Sequence, residues 1–284
     1  LRARTAGPAA LGGLLALLLA APALASAAAV AERVDRDVAA GRPVVVHAIV
    51  ALCDNENQGI VPVPEQLGNG LDPASNLYWG ALYGLRTHMK KAGWTRTPVD
   101  PPEGGDVLER IVLSRTLTRK GKAVDVHIVA DAWRGDRMEQ ALGAYLAISS
   151  GRDSEVVQLP RGEQRLDLHA GGDAHLLVWV GHNGLMDHTI RRVARYPQAK
   201  PRAGMVLACL SKEYFTEHFR DVGVHPVLLT TGLMAPEAYT LDAAIRGWVE
   251  SGDTERVLDQ AGAAYHAYQK CGERAARRLF WGVP

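Results

Sequence analysis

His175-LLVWV-Gly181-His182-Asn183-Gly184 and Gly204-MVLA-Cys209-Leu210-Ser211 decide the fold. Each contains a short apolar run next to glycine, the pattern of a strand buried on both faces. One run ends in an imidazole and the other in a thiol. Ligands and reacting groups collect at the carboxyl-end edge of an open parallel sheet, so adjacent strands of this kind would set His182 beside Cys209. A thiol near its free pKa is mostly protonated at neutral pH, and a neighbouring imidazole can hold it as thiolate and later protonate a leaving group. The pair suffices for acyl transfer. Taken singly, the cysteine reads as a small core residue and the histidine as a hydrogen-bonded ring.

Outward from these runs, apolar strands alternate with helical segments. Val30 to Ala40 reads as a short helix and Val44 to Cys53 as a buried strand. A long polar loop follows, entering a helix at Asn76 that ends near Gly93. Val107–Thr118 and Lys122–Ala132 read as a hairpin turning at Arg119-KG-Lys122, and Arg134–Ser149 as an amphipathic helix. Helices are expected near Asp187–Tyr196, Ser211–Val222, Ala235–Ser251 and Thr254–Arg278, with a strand from His225. With right-handed crossovers this order implies an α/β fold, a mainly parallel sheet with helices on both faces.

Arg2 and Arg4 precede an uncharged stretch from Thr5 to Ala31 with small-residue cleavage patterns around Ala25 and Ala27. The pattern is that of an export signal over residues 1–27, leaving 28–284 as one domain, secreted or periplasmic; an uncleaved signal would instead anchor the chain in a membrane. A stable membrane span after cleavage is not expected. The formal charge of +1, with both signs interspersed, gives no nucleic-acid surface. Three cysteines are an odd number, so at least one stays outside any intrachain disulfide. Either Cys53 pairs with Cys271, or all three are buried thiols. The cysteine and histidine spacings match no structural zinc site, and Gly68-Asn69-Gly70 lacks the strand-to-helix glycine pattern of a dinucleotide cofactor. Neither a metal nor a cofactor is expected.

The order of parts resembles the caspase and hemoglobinase fold, the clan CD cysteine peptidases that include caspases, legumains, gingipains and metacaspases. That family carries a His-Gly motif after one apolar strand and an Ala-Cys motif after the next. Here the corresponding positions are His182 and Ala208-Cys209, and Ser211 is similar to the serine of the legumain pattern. The likeness runs from about Pro43 to Val249 and implies a caspase-like three-layer sandwich. It further implies a peptide or protein substrate attacked by Cys209, with His182 as acid and base and backbone N–H groups near Asn183 or Gly184 holding the oxyanion. Residues just after the opening strand, Asp54 and Glu56, would form a first specificity pocket suited to a basic side chain, and Thr230 and Thr231 would lie in a wall of the cleft.

Two positions depart from the family. Asn183 stands between His182 and Gly184, and Lys212 replaces a glycine. These favour a second expectation, a catalytically silent caspase-like domain that binds a peptide or an envelope partner through the loop from Asp54 to Asn76. Asp187 reads as a helix cap, and Tyr78, Trp79 and Tyr83 as packing aromatics that could also line a groove.

Overall fold

A computed structural model describes residues 24–284; most of the expected export signal lies outside the described residues. β-Branched and bulky apolar runs form strands β1 (Val44–Ala51), β7 (Leu176–Val180), β8 (Arg202–Leu207) and β9 (Val224–Thr230), each buried along its whole length. With β4 (Lys122–Trp133) they make a five-stranded parallel core in the order β9-β8-β7-β1-β4. Antiparallel strands extend it at both edges: β3 (Val107–Arg119) and β2 (Thr95–Val99) beyond β4, and β10 (Phe280–Trp281) beyond β9. The result is an eight-stranded, mainly parallel mixed sheet.

Alternation along the strands divides the core in two. Val44, Val46, Ala48 and Val50 of β1 face a layer containing α1 (Ala27–Ala39), α2 (Leu85–Lys91), α5 (Ala238–Ser251) and α6 (Thr254–Gln269). Val45, Ile49 and Ala51 face α3 (Met138–Ser150) and α4 (Ser211–Val222). Helices on both faces of the sheet make a three-layer α/β sandwich, as expected. A short α7 (Glu273–Leu279) leads into β10. Among the described residues no helix is long and apolar enough to cross a membrane.

Four local expectations are corrected. The helix expected from Asn76 begins only at Leu85, because residues 76–84 form tight turns: the Asn76 side chain bonds the backbone of Cys53 on both sides, and a Cβ on Gly80 would fall 2.0 Å from the Ala74 carbonyl. No helix spans Asp187–Tyr196; a single 3-10 turn at Gly184–Met186 is followed by irregular chain. The last helix is two, since Lys270 ends α6 in a left-handed conformation, and Cys271 therefore lies in the break. Between α3 and β7 sits an unexpected hairpin, β5 (Glu155–Arg161) with β6 (Gln164–Ala170). All three cysteines are free thiols, Cys53 buried and Cys271 exposed.

Four strands converge on a buried charge network on the α3 face. Arg110 of β3 forks onto Asp131 of β4 (2.6 and 2.7 Å) and onto Glu155 of β5 (2.7 and 2.9 Å), while His47 of β1 bonds Asp131 at 3.1 Å. Burial alone would raise the Asp131 carboxyl, yet Arg110 and His47 hold it below its ordinary value. Removing one member strands the others in a low-dielectric site. Asp131→Ala is expected to cost about 3–5 kcal/mol in urea unfolding.

Burial pushes the His88, His127, His175 and His225 imidazoles below their ordinary value. In this range the unfolded chain binds protons that the folded chain refuses, so acid favours unfolding. Unfolding free energy is expected to fall from about pH 7 toward pH 5, with a second decline near about pH 4 as Asp37 and Asp131, both lowered in the fold, are titrated in the unfolded chain. Urea titrations across this range check both steps.

Candidate active site

β7 and β8 pair in parallel with Val180 opposite Leu207. His182 and Cys209 therefore each lie two residues past a matched pair, on adjacent strands at the carboxyl-end edge. Three buried hydrogen bonds hold the overhanging backbones. Gly181 N–H donates to the Leu207 carbonyl (3.2 Å), the Trp179 indole N–H to the His182 carbonyl (3.1 Å), and the Asn183 side-chain amide to the Cys209 carbonyl (2.7 Å). Gly181 has φ of 140°, and a Cβ there would stand 2.7 Å from the Ala51 carbonyl of β1. Only glycine lets the histidine turn cross the end of β1 this closely.

Asn183 is fully buried. Besides its bond to Cys209, its side-chain oxygen accepts from Leu185 N–H and caps the 3-10 turn. Its amide is thus committed between the two loops and is not free to face a substrate. Gly184 packs on α3, where a Cβ would meet Met138 at 2.4 Å.

The turn brings Asp187 back to His182, whose Nε2 lies 2.5 Å from Asp187 Oδ2. Sequence reading made Asp187 the cap of a following helix; no helix follows, and its carboxylate instead contacts His182. Gly59 of the long loop closes on the same carboxylate, because a Cβ at Gly59 would lie 3.1 Å from Asp187 Oδ1. The ring is 8% exposed.

Cys209 occupies a sharp strand-to-helix turn. Leu210, which follows it, is in the left-handed region at φ 53°, a conformation that is uncommon and strained for a branched residue. The turn is fixed from beneath by Ser211 and Thr230, whose hydroxyls lie 3.0 Å apart; Ser211 Oγ also donates to the Val206 carbonyl, and Thr230 Oγ1 to the Ala208 carbonyl. Thr230 is fully buried in that network. Thr231 is exposed and donates to the Arg278 and Leu279 carbonyls. Along the thiol runs Met234, whose N–H lies 3.4 Å and whose carbonyl lies 3.6 Å from Cys209 Sγ.

Tyr78 lies within electrostatic reach of Cys53, Cys209 and Glu237. Burial holds the Tyr78 hydroxyl well above its ordinary value, and the Cys53 and Cys209 thiols and the Glu237 carboxylate push it the same way. Burial also pushes the Cys53 thiol up to about 11, which leaves it protonated and unreactive at neutral pH. Trp79 and Tyr78 are buried, and Trp79 donates to Glu109 at 2.7 Å. They pack the core and do not line an open groove.

Asp54 is 4% exposed, and its carboxylate accepts from the N–H groups of Glu56 and Asn57 and from the Asn57 amide. Glu56 is exposed. Both line a cavity of about 310 Å³ together with Glu65 and Asp136, an all-acidic set of charged groups at the carboxyl end of β1. Elsewhere, His47, Asp131 and Glu155 bring ligand-type atoms within 4.8 Å of one another. Arg110 already pairs with both carboxylates, and both His47 ring nitrogens are hydrogen-bonded, Nε2 to Asp131 and Nδ1 from Gly171 N–H at 2.8 Å, so the cluster is neutralised within the protein.

Set against protein-family models, curated proteins and solved structures, the chain matches none of them.

Because Asn183 joins the two loops, Asn183→Ala is expected to lower stability by about 1–3 kcal/mol, and Asn183→Asp by more, since a carboxylate would face the Cys209 carbonyl. Urea unfolding monitored by tryptophan fluorescence provides the check.

Proposed function

We propose that the chain is an exported cysteine peptidase-like hydrolase that cleaves peptide or amide bonds with Cys209 and His182. The single observation that carries this reading is the equal overhang of His182 and Cys209 past the paired ends of β7 and β8, with one imidazole nitrogen held by Asp187. An imidazole fixed through one nitrogen presents the other to a neighbouring thiol, the geometry of a nucleophile, base and orienting carboxylate.

In the proposed reaction Cys209 Sγ attacks the carbonyl carbon and expels the amine, to which His182 gives a proton. His182 then takes a proton from water, which cleaves the thioester and releases the acid. The Cys209 N–H in the turn before α4, with that of Asn183 or Gly184, would receive the oxyanion. The acidic cavity of Asp54, Glu56, Glu65 and Asp136 favours a basic side chain on the substrate. The export signal read at residues 1–27 assigns the activity to the periplasm or the cell exterior.

The contacts of Met234 with the thiol, together with Asn183, favour the second reading, a silent domain that binds a peptide or an envelope partner. Alkylation separates the two. In a Cys271→Ser background, which removes the exposed thiol, brief iodoacetamide treatment followed by intact mass is expected to label one site, lost in Cys209→Ala and slowed about a hundredfold in His182→Ala. Asp187→Asn is expected to slow labelling by about tenfold without unfolding the protein. Labelling at the rate of a free thiol, indifferent to His182, would establish the silent domain.

A further inference from the structure

A cavity of about 700 Å³ opens at the amino-end edge of the sheet, opposite Cys209. Its floor is Val45 at the start of β1 and His175 just before β7; α1 forms one side and β6 the other. The volume is within the range of about 300–1,000 Å³ usual for small-molecule sites.

The lining is cationic. Arg33, Arg36, Arg42, Arg165 and Lys200 contribute positive charge against Asp37, Asp167 and Asp173. The acids are engaged within the protein: Asp37 by Arg42 and by His175 at 2.9 Å, Asp173 by Lys200 at 2.8 Å, and Asp167 by the Gln158 amide. Arg36 and Arg165 are exposed at the rim and pair with no carboxylate among the described residues.

Beneath the rim the charge is less compensated still. Arg33 is 3% exposed and spends its terminal nitrogens on the carbonyls of Asp173, Ala174 and Pro201, while its Nε has no hydrogen-bond partner and stands 3.8 Å from Asp37. Behind it Arg202, fully buried, bonds only carbonyls and leaves one terminal nitrogen unpartnered. Burial pushes both guanidinium groups down to about 10, with the Arg33 charge further disfavouring that of Arg202, and Arg36 and Arg42 that of Arg33. Two desolvated cations next to a cavity with surplus cations at its mouth concentrate positive charge that the protein's own carboxylates do not balance.

We propose that this cavity binds a small multivalent anion carrying phosphoryl or carboxylate groups. Arg36, Arg165 and Lys200 grip the charged groups at the rim, Arg33 supplies positive potential from the floor, and Gly41, Pro43 and Leu166 leave an uncharged wall for the body of the ligand. Nothing in this site depends on the chemistry assigned to Cys209.

Calorimetric titration of the full chain with pyrophosphate and with citrate, at constant ionic strength set by potassium chloride, tests the site. Saturable binding of at least one probe at one site per chain is expected, weakened by about tenfold or more in the double variant Arg36→Glu, Arg165→Glu. That variant should unfold at the wild-type temperature without ligand, and Cys209→Ser should bind as the wild type does. Should the double variant fail to fold, Lys200→Ala and Arg165→Ala replace it, each weakening binding severalfold. Binding of pyrophosphate alone identifies a phosphoryl ligand, of citrate alone a carboxylate ligand, and of both a site selective only for charge. Absence of saturable heat with either probe, or equal affinity in the charge-altered variants, overturns the proposal.

Discussion

The parallel pairing of β7 with β8 is the constraint on which the candidate site depends. With Val180 opposite Leu207, one residue of slip on either strand would carry His182 and Cys209 to different heights and opposite faces. The ladder alone cannot prevent slip beyond its last pair, and there side chains take over. Asn183 ties the histidine loop to the cysteine loop, Trp179 holds the His182 carbonyl, and Thr230 with Ser211 supports the cysteine turn from β9. Each such bond is worth only about 1 kcal/mol net, but breaking one inside the core leaves a desolvated group unpaired at a larger cost. The bonds specify position more than they add stability.

A comparable role falls to the charges buried around Arg110. Ion pairs in the interior barely repay their desolvation, so their presence is better understood through what they fix. Arg110, Asp131, His47 and Glu155 come from β3, β4, β1 and β5, and His47 also accepts from Gly171 at the end of the hairpin. The network therefore docks the β5–β6 hairpin, which is outside the main sheet, at one place on it. That placement matters at a distance, because β6 carries Arg165 and His169 into the wall of the cationic cavity.

Much of this architecture was legible. The buried strands announced themselves as apolar runs, and the loops that end β7 and β8 could be assigned to one edge because parallel strands leave no alternative. The hairpin was also written in the sequence, as alternating Val157, Leu159, Leu166 and Leu168, but its polar outer face and short runs lack the continuous apolar character that marked the buried strands. Asp187 was mistaken for another reason. Five residues from His182 is no period of helix or strand, and only the 3-10 turn capped by Asn183 brings the two side chains together. Likewise Asn183 looked like a defect between histidine and glycine, since its bond to the Cys209 carbonyl is a contact 26 residues away in sequence. The acidic cavity was half visible: Asp54 and Glu56 follow β1 directly, whereas Glu65 and Asp136 arrive through a loop and a later strand end. Thr230 was expected in a wall of the cleft, but it is fully buried and its hydroxyl faces inward to Ala208 and Ser211.

The formal charge of +1 conceals a separation of charge along the strands. Carboxylates gather around the cavity at the carboxyl end of β1, and cations around the one at its amino end. β1 has eight residues, so the two ends stand about 26 Å apart at ~3.3 Å per residue. That is roughly three Debye lengths at physiological ionic strength, about 8 Å each, so through solvent the two ends act as independent fields. Through the protein they share β1 and β7, whose residues are buried without exception and packed on both faces. An anion at the amino end therefore has no direct electrostatic reach through solvent to the cysteine edge. The same separation lets one edge attract a basic group while the other attracts an acidic one.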